Sequence, residues 1–304
     1  MYVFLESPLL SFDNQIPSVG FQPKKSSIRG IELISIDRIL NHDNQFDHHP
    51  ERPHQLKFYN IIYFTGGNSK HLVDFEYFPV KAGTAVYLSK DMVNAFSFTE
   101  GMSGYCLIFT QEYLEACFGR ISENVSSQLF NHQLYEPVVQ IPESARFEDY
   151  LNLIGHELQK DVDPERTFTI NSLFSVVLTK VQSLRTSKSL TTQDKSKVKL
   201  VAQFSSLIQE EYGQSRNAEY FAKKLLISYK HLNLCCREVL DKTAKQVIDE
   251  YVILEAKRRL INTAVQSTEI AYQLGFEEPT NFTKYFKKLT GFTPRQFKLA
   301  HAQK

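Results

Sequence analysis

Two spacings of hydrophobic residues divide the chain. Between about 55 and 110 the apolar residues come in short β-type segments. Phe58 to Phe64 (FYNIIYF) is an aromatic and β-branched run that ends at Gly66-Gly67-Asn68, which reads as a hairpin-type turn. Val73, Phe75 and Tyr77 then alternate with Asp74 and Glu76, the period of two expected of a half-buried strand. Lys81-Ala82-Gly83 marks another turn, and Ala85 to Leu88 and Tyr105 to Phe109 are further short strands. Short strands at this spacing predict a small barrel or sandwich.

Beyond 146 the period becomes helical. Phe147, Tyr150, Leu151, Ile154 and Leu158 share one helix face. After Asp163-Pro164, Leu173, Phe174, Val177, Leu178, Val181 and Leu184 share another. The spacing predicts a helical hairpin over 146–186. Its apolar stripes offer a dimer surface or, alternatively, a seat on the hairpin's own barrel. Ser187 to Lys197 (SKSLTTQDKSK) is polar and reads as a linker, so the chain divides into 1–186, a linker 187–197 and a helical domain 198–304.

Val198, Val201, Ala202, Ser205, Leu207 and Ile208 open that domain with a helix ending near Tyr212-Gly213, Gly213 being its expected C-cap. A short helix, Ala218 to Leu225, is followed by a tight connection and by Ser228 as N-cap of a third helix to Leu240. In the third helix Leu232, Cys236, Val239 and Leu240 form the inward stripe, leaving Tyr229, Lys230, Asn233, Leu234 and Arg237 on other faces. The plan then recurs. Thr268 to Leu274 is a short helix closed by Gly275-Phe276, and Pro279 suits the first position of the next. That helix turns Phe282, Phe286 and Leu289 inward and Thr280, Asn281, Lys284, Lys287 and Lys288 outward. Gly291 ends it, and Pro294 starts a last helix. A short helix, a tight turn and a longer helix with an exposed polar face make a helix-turn-helix. The helix between the two units, Lys245 to Ile261, would span roughly 25 Å. With helix widths added, that approaches the roughly 34 Å between successive major-groove windows on one face of DNA.

Charge sharpens this picture. The net charge of the 304 residues is only +1. Residues 195–304, however, hold 19 Lys and Arg against 11 Asp and Glu, and the rest of the chain 16 against 23. A basic last third on an acidic remainder points to a polyanion-binding module. No apolar run reaches the roughly 18–20 residues that would span a bilayer. The first ten residues, with Glu6, Pro8 and no basic start, do not read as a signal peptide, so a cytoplasmic location is expected. The four cysteines, Cys106, Cys117, Cys235 and Cys236, show no zinc spacing and read as small buried residues of a reducing compartment.

The run Ile270 to Phe276 (IAYQLGF), Phe282, Phe286-Lys287-Lys288 and Gly291-Phe292-Thr293-Pro294, preceded by Ala256 to Leu260 (AKRRL), resembles the AraC/XylS family signature over the last third of the chain. The resemblance implies two helix-turn-helix units joined by a helix, and DNA-reading positions within them. In the second reading helix these are Thr280, Asn281 and Lys284, with Lys287 and Lys288 placed to hold phosphate. Asn pairs bidentately with adenine, and Lys reaches guanine or phosphate. The first reading helix departs from the pattern, with Leu234 where the family often has Arg and Cys236 where it has Phe. Tyr229, Lys230 and Asn233 remain its DNA-binding candidates. Ser267 replaces the usual Val or Ile, a change expected to loosen the second unit. The N-terminal half is similar, more loosely, to the cupin-like sensing domain of such regulators, through Pro53-His54 before Phe58-Tyr59 and the Lys81-Ala82-Gly83 turn.

His42, His48, His49, His54 and His71 raise a competing reading, since cupin enzymes hold a metal with clustered His and Glu. The strand pattern of two His one residue apart with a following Glu is missing, so no metal is expected. No nucleophile triad or phosphate-binding Gly loop stands out either.

The resulting expectation is an α+β protein: an N-terminal cupin-like β-barrel with a helical hairpin, then an all-α tandem helix-turn-helix domain. It is expected to regulate transcription by sequence-specific DNA binding, not to be an enzyme and to need no cofactor. The effector-binding residues are unassigned. Expected partners are double-stranded DNA, a small-molecule effector, a second copy of the chain and RNA polymerase, with no membrane. The alternatives are a cupin-type metalloenzyme fused to a DNA-binding domain and an effector-independent DNA-binding dimer.

Overall fold

The computed structural model describes residues 16–21, 28–41, 49–119, 129–160, 163–189, 195–262 and 265–302. The N-terminal strands are β1 (Ser18–Val19), β2 (Ile31–Ser35), β3 (His54–Leu56), β4 (Tyr59–Gly66), β5 (Asn68–Val73), β6 (Glu76–Lys81), β7 (Thr84–Leu88), β8 (Val93–Ala95), β9 (Ser103–Phe109) and β10 (Val138–Gln140). They form two five-stranded sheets, ordered β1-β3-β8-β5-β6 and β10-β7-β4-β9-β2. On β4, Ile62 and Phe64 face the interior, where they join Val86, Cys106 and Ile108 of their own sheet and Leu56, Val73 and Val80 of the other. Ile61 and Tyr63, with Tyr87, Leu107 and Phe109, face outward and are covered by helices. A sheet buried on both faces has no polar side, which is why 58–64 and 105–109 read as continuous apolar runs.

The covering helices include α2 (Gln111–Phe118), α3 (Phe147–Leu158) and α4 (Pro164–Ser189), and a short α1 (Ile36–Leu40) follows β2. Phe147, Leu151 and Ile154 of α3 and Phe174, Val177 and Val181 of α4 are buried on the barrel. The two apolar stripes seen in the sequence therefore seat the hairpin on its own barrel. A different face remains outside, carrying Leu153, Phe168 and Val176. Arg166 locks the hairpin, donating from Nε and Nη2 to the Glu157 and Leu158 carbonyls at 2.5 and 2.8 Å, where α3 has run out of backbone donors.

Two turns differ from the sequence expectation. Gly66-Gly67 does not close a hairpin, because β4 and β5 lie in different sheets. Gly67 takes a φ of 80° as the chain crosses between sheets, and a Cβ there would sit 2.7 Å from the Met102 Cα. The hairpin is β5–β6, and its two-residue turn is Asp74-Phe75, inside the stretch that alternates like one strand. Both turn residues have positive φ, 49° and 120°. Asp tolerates the left-handed region, but for Phe such a backbone costs about 1–3 kcal/mol and persists only where surroundings enforce it.

The C-terminal domain comprises α5 (Lys195–Glu211), α6 (Ala218–Lys224), α7 (Tyr229–Leu240), α8 (Ala244–Asn262), α9 (Ser267–Gln273), α10 (Pro279–Thr290) and α11 (Pro294–Ala302). They share one core that includes Phe204, Phe221, Leu232, Val252, Ile270, Phe282 and Phe286. Three details correct the sequence reading. Leu289 is 44% exposed, since α10 has passed the core by its last turn. Ser267 is exposed at the start of α9, so its small size removes nothing from the packing. Gly213 is absent from the left-handed region; its smallness instead admits Gly275, whose added Cβ would run into the Gly213 carbonyl. All four cysteines are free thiols, and burial raises the pKa of Cys106 and Cys236 to about 12.

Candidate nucleic-acid interface

Each helix-turn-helix unit is built by the same local chemistry. In the first, α6 ends at Lys224 with Leu225 as its C-cap, Leu226 turns left-handed with φ 58°, and the Ile227 N–H returns to the Ala222 carbonyl at 3.0 Å. Ser228 then starts α7, its Oγ accepting the His231 N–H at 3.1 Å. In the second, Gly275 turns with φ 74°, the Phe276 N–H returns to the Ala271 carbonyl at 2.9 Å, and Pro279 begins α10. Each reading helix ends on another left-handed residue, Asp241 or Gly291. Each is followed by a reciprocal capping box, Thr243 with Gln246 and Thr293 with Gln296.

The units are fixed to one another. The Arg216 guanidinium stacks 3.6 Å from the Phe276 ring centroid, and its Nη1 donates to the Leu274 and Gly275 carbonyls at 2.9 and 2.8 Å. Tyr285 on α10 donates to Asp249 on α8 at 2.6 Å. Arg259 on α8 donates to Gln273 Oε1 at 2.8 Å and to the Tyr212 hydroxyl. The 19 residues of α8 make a rod of about 28 Å at the rise of an α-helix.

The exposed faces of the reading helices carry the sequence candidates. Tyr229 and Lys230 on α7, and Thr280, Asn281, Lys284, Lys287 and Lys288 on α10, are all exposed. Asn233 is half-buried, and its Oδ1 accepts the Ala244 N–H at 3.1 Å, so it starts α8. Leu234 is 47% exposed where a polar reader would stand. Sequence reading left Arg237 out of the site, yet it is exposed on α7. Part of the domain's other basic charge is matched by acids, while among the described residues Lys199, Lys223 and Arg295 make no ion pair. Lys197 pairs with Glu238 at 2.7 Å, Lys224 with Glu211 at 3.0 Å and Lys242 with Glu250 at 2.7 Å, and Lys245 pairs with Asp249. Among the described residues Lys230, Arg237, Lys284, Lys287 and Lys288 have no such acidic partner. Positive charge is thus left unneutralised on α7 and α10, the arrangement that phosphate binding with counterion release requires.

A second polar feature lies in the barrel interior. His54, Asn60, His71 and Asn94 are buried there among apolar side chains. The His71 ring packs edge-on to Phe96, with centroids 4.8 Å apart. Burial, reinforced by nearby His54, lowers its pKa to about 3, and Asn94 opposes this weakly. The imidazole is therefore neutral near pH 7; the Asn94 side chain lies close to it and the Cys106 thiol close to Asn60, but none of these contacts gives either His71 ring nitrogen or Asn60 Oδ1 a hydrogen bond of good geometry. Of the five histidines of the metal reading, His42 and His48 lie outside the described residues. Among the described residues no three or more His, Cys, Asp and Glu gather as a ligand set. Among them, too, no helix is long and apolar enough to cross a membrane.

Comparison with known proteins matches the two regions separately. The AraC-like ligand binding domain family matches residues 33–165, and a helix-turn-helix domain family matches 221–300. The uncharacterized HTH-type transcriptional regulator YisR of Bacillus subtilis is 30% identical over 91 residues, covering 30% of this chain and 32% of that protein. The Msm operon regulatory protein of Streptococcus mutans is 29% identical over 98 residues, covering 32% of this chain and 35% of that one. The match thus spans about a third of these relatives' length. Among solved structures, ToxT from Vibrio cholerae aligns over 89% of this chain and 98% of its own, at 12% identity and a TM-score of 0.45. With an AraC-like ligand-binding domain followed by the helix-turn-helix module whose signature fills α9 to α11, the chain belongs to the AraC family.

Proposed function

We propose that the protein is a sequence-specific DNA-binding transcription regulator whose barrel takes a small-molecule effector. The carrying observation is the set of exposed cations without acidic partners on α7 and α10. Asn281 and Lys284, near the N-terminal end of α10, are the base readers, with Thr280 beside them. Lys287 and Lys288 hold phosphate. On α7, Tyr229, Lys230 and Arg237 contact DNA, and Asn233 braces α8. Groove-inserted helices meet base edges near their N-terminal ends, which favours this division. In the barrel, the poorly satisfied polar atoms of His71 and Asn60 favour an effector that can exchange hydrogen bonds there, since buried polar groups otherwise find well-placed partners.

A second copy of the chain fits the outer face of α4. From Thr167 to Thr179 this helix carries no charged residue. The hydroxyls of Thr169, Ser172, Ser175 and Thr179 donate to carbonyls one turn back, at 2.8–2.9 Å. Phe168 and Val176 are exposed on it. A two-fold interface sets each residue near its own copy, so an uncharged face with satisfied hydroxyls can be buried without repulsion. Such a dimer would occupy paired half-sites and act on RNA polymerase at a promoter.

Binding of the full chain to duplexes selected from a random pool tests the DNA reading. Affinity should fall steeply with salt, and Lys284→Ala, Lys287→Ala and Lys288→Ala together should weaken binding. A folded protein that retains no duplex at low salt would refute it. Sedimentation tests the dimer, since Phe168→Glu should yield monomers.

A further inference from the structure

The barrel and the DNA-binding domain meet where the β5–β6 turn reaches α8 and α11. Asp74 Oδ1 and Oδ2 accept from Arg258 Nε and Nη2 at 2.9 and 2.7 Å, a bidentate pair. Arg258 Nη1 also donates to Glu255 at 2.8 Å. The paired side chains are only 9% and 13% exposed. Beside them the Phe75 ring stands edge-on to Phe297 and His301, with centroids 5.5 and 5.7 Å apart, and the Lys257 ammonium lies 5.6 Å from its centroid.

Three features mark this as a contact made to open. The turn holds Phe75 at φ 120°, a backbone that glycine would take freely; the ring that costs this conformation is the part that reaches the other domain. A buried ion pair adds little net stability over an apolar contact, yet is highly directional. Packing between the domains is also incomplete: Val93 of β8 joins the core of the DNA-binding domain and the Ile16 N–H donates to the Ile261 carbonyl at 3.1 Å, but a cleft of about 1620 Å³ opens beside the pair, with Asp91, Lys199 and Glu250 on its walls.

We propose that the Asp74–Arg258 pair and the Phe75 ring form a releasable latch that holds the DNA-binding domain on the barrel and restrains it from DNA. The rod between the two reading helices is gripped at both ends. Gln133 Nε2 donates to the Val247 carbonyl at 2.9 Å near its start, and Arg258 is clamped near its end. A gripped rod keeps the DNA-binding domain, whose two units are fixed to one another, from turning off the barrel to meet a duplex. The acidic remainder of the chain is meanwhile kept close to a domain that binds a polyanion. The latch also has a line to the barrel interior. The Val93 N–H donates to Asp74 Oδ1 at 3.2 Å, and the next residue, Asn94, lies buried near His71. The latch presupposes the DNA binding proposed above.

Four full-length variants test it: Asp74→Arg, Arg258→Asp, the two combined, and Phe75→Gly. Small-angle scattering without DNA reads the opening, and fluorescence anisotropy with a labelled mixed-sequence duplex at low salt reads the restraint. Asp74→Arg, Arg258→Asp and Phe75→Gly should each expand the protein and tighten DNA binding about tenfold, a common size for coupling between sites. The combined swap should restore both compactness and weaker binding. Circular dichroism confirms folding, and Phe75→Gly opens the contact without introducing a charge. Unchanged scattering in the single variants, DNA binding equal to or weaker than wild type once opened, or a swap that stays open would each overturn the latch. If the wild type and every variant ignore the duplex while scattering still reports opening, the DNA-binding reading fails and the restraint fails with it.

Discussion

The two helix-turn-helix units reach the same backbone with different residues. Each needs a left-handed residue after its short helix and another after its reading helix. The second unit uses Gly275 and Gly291, and the first uses Leu226 and Asp241 at the matching places. Gly275 has a further duty, since the Gly213 backbone lies against it and leaves no room for a side chain. Leu226 has no such neighbour and is 92% exposed. The reading faces differ as well. The α10 face offers Asn281 and three lysines without acidic partners, whereas α7 exposes Leu234 and commits Asn233 to starting α8. The second unit thus combines tight packing with a polar reading face. The first keeps the fold at some local cost and, in the function proposed above, would contribute more to holding DNA than to reading it.

The largest effect should come from disturbing the close approach. Gly275→Ala places a Cβ against the Gly213 carbonyl and forces a side chain into a left-handed backbone, with no flexible atom able to yield. We expect a loss of about 3 kcal/mol or more, read by urea unfolding followed by far-UV circular dichroism. A loss below about 1 kcal/mol would mean the units do not pack through these glycines. Next comes Arg216→Ala, which removes a stacked guanidinium and bonds to two carbonyls from one site. It should cost about 2–3 kcal/mol. Arg216→Lys should recover little of this, because an ammonium cannot stack flat and serve both carbonyls. Full recovery by Lys would reduce the role of Arg216 to its charge alone.

Much of this architecture was legible in the sequence, and the exceptions have identifiable causes. Ser228 marks a helix end through its side-chain hydroxyl, and Pro279 and Gly291 through their backbone preferences, so local reading found them. The capping boxes Thr243-Ala244-Lys245-Gln246 and Thr293-Pro294-Arg295-Gln296 are equally local and show that the duplication runs into the helix after each unit. The tight connection at Leu226 was legible but its left-handed backbone was not, nor was the turn Asp74-Phe75, because neither carries the glycine that normally announces a positive φ. Gly66-Gly67 carried that signal but joined two sheets, since strand pairing is decided by distant residues. Asn233 looked like a free polar residue until α8 was placed against it. The Asp74–Arg258 contact joins residues 184 apart, a distance at which no pattern in one sequence speaks.

The reading faces give the next test of the contrast. Asn281→Ala should lose about 1–3 kcal/mol on the selected site and relax preference at one base position. Leu234→Ala should cost little unless a thymine methyl lies beneath it. Lys287→Ala should weaken all sequences alike and lower the salt slope by about one unit. Binding to the selected duplex and its single-base variants at fixed salt separates these outcomes. If Leu234→Ala abolishes base preference while Asn281→Ala weakens every sequence equally, the roles of the units are reversed.

The smallest effect concerns Leu226 itself. A left-handed backbone costs a residue with a Cβ about 1–2 kcal/mol relative to glycine. Glycine in turn loses more chain entropy on folding, about 0.5–1 kcal/mol. The side chain is almost wholly exposed, so little packing is lost on removing it. The balance favours Leu226→Gly by a few tenths of a kcal/mol up to about 1 kcal/mol, opposite in sign to Gly275→Ala at the matching turn. The check is the urea midpoint at constant m-value, with duplex binding measured beside it, since the substitution leaves the α7 reading face intact. A clear loss of stability would show that the exposed Leu226 side chain holds a contact that the strain serves, and the two units would then differ in purpose at this turn rather than in relaxation.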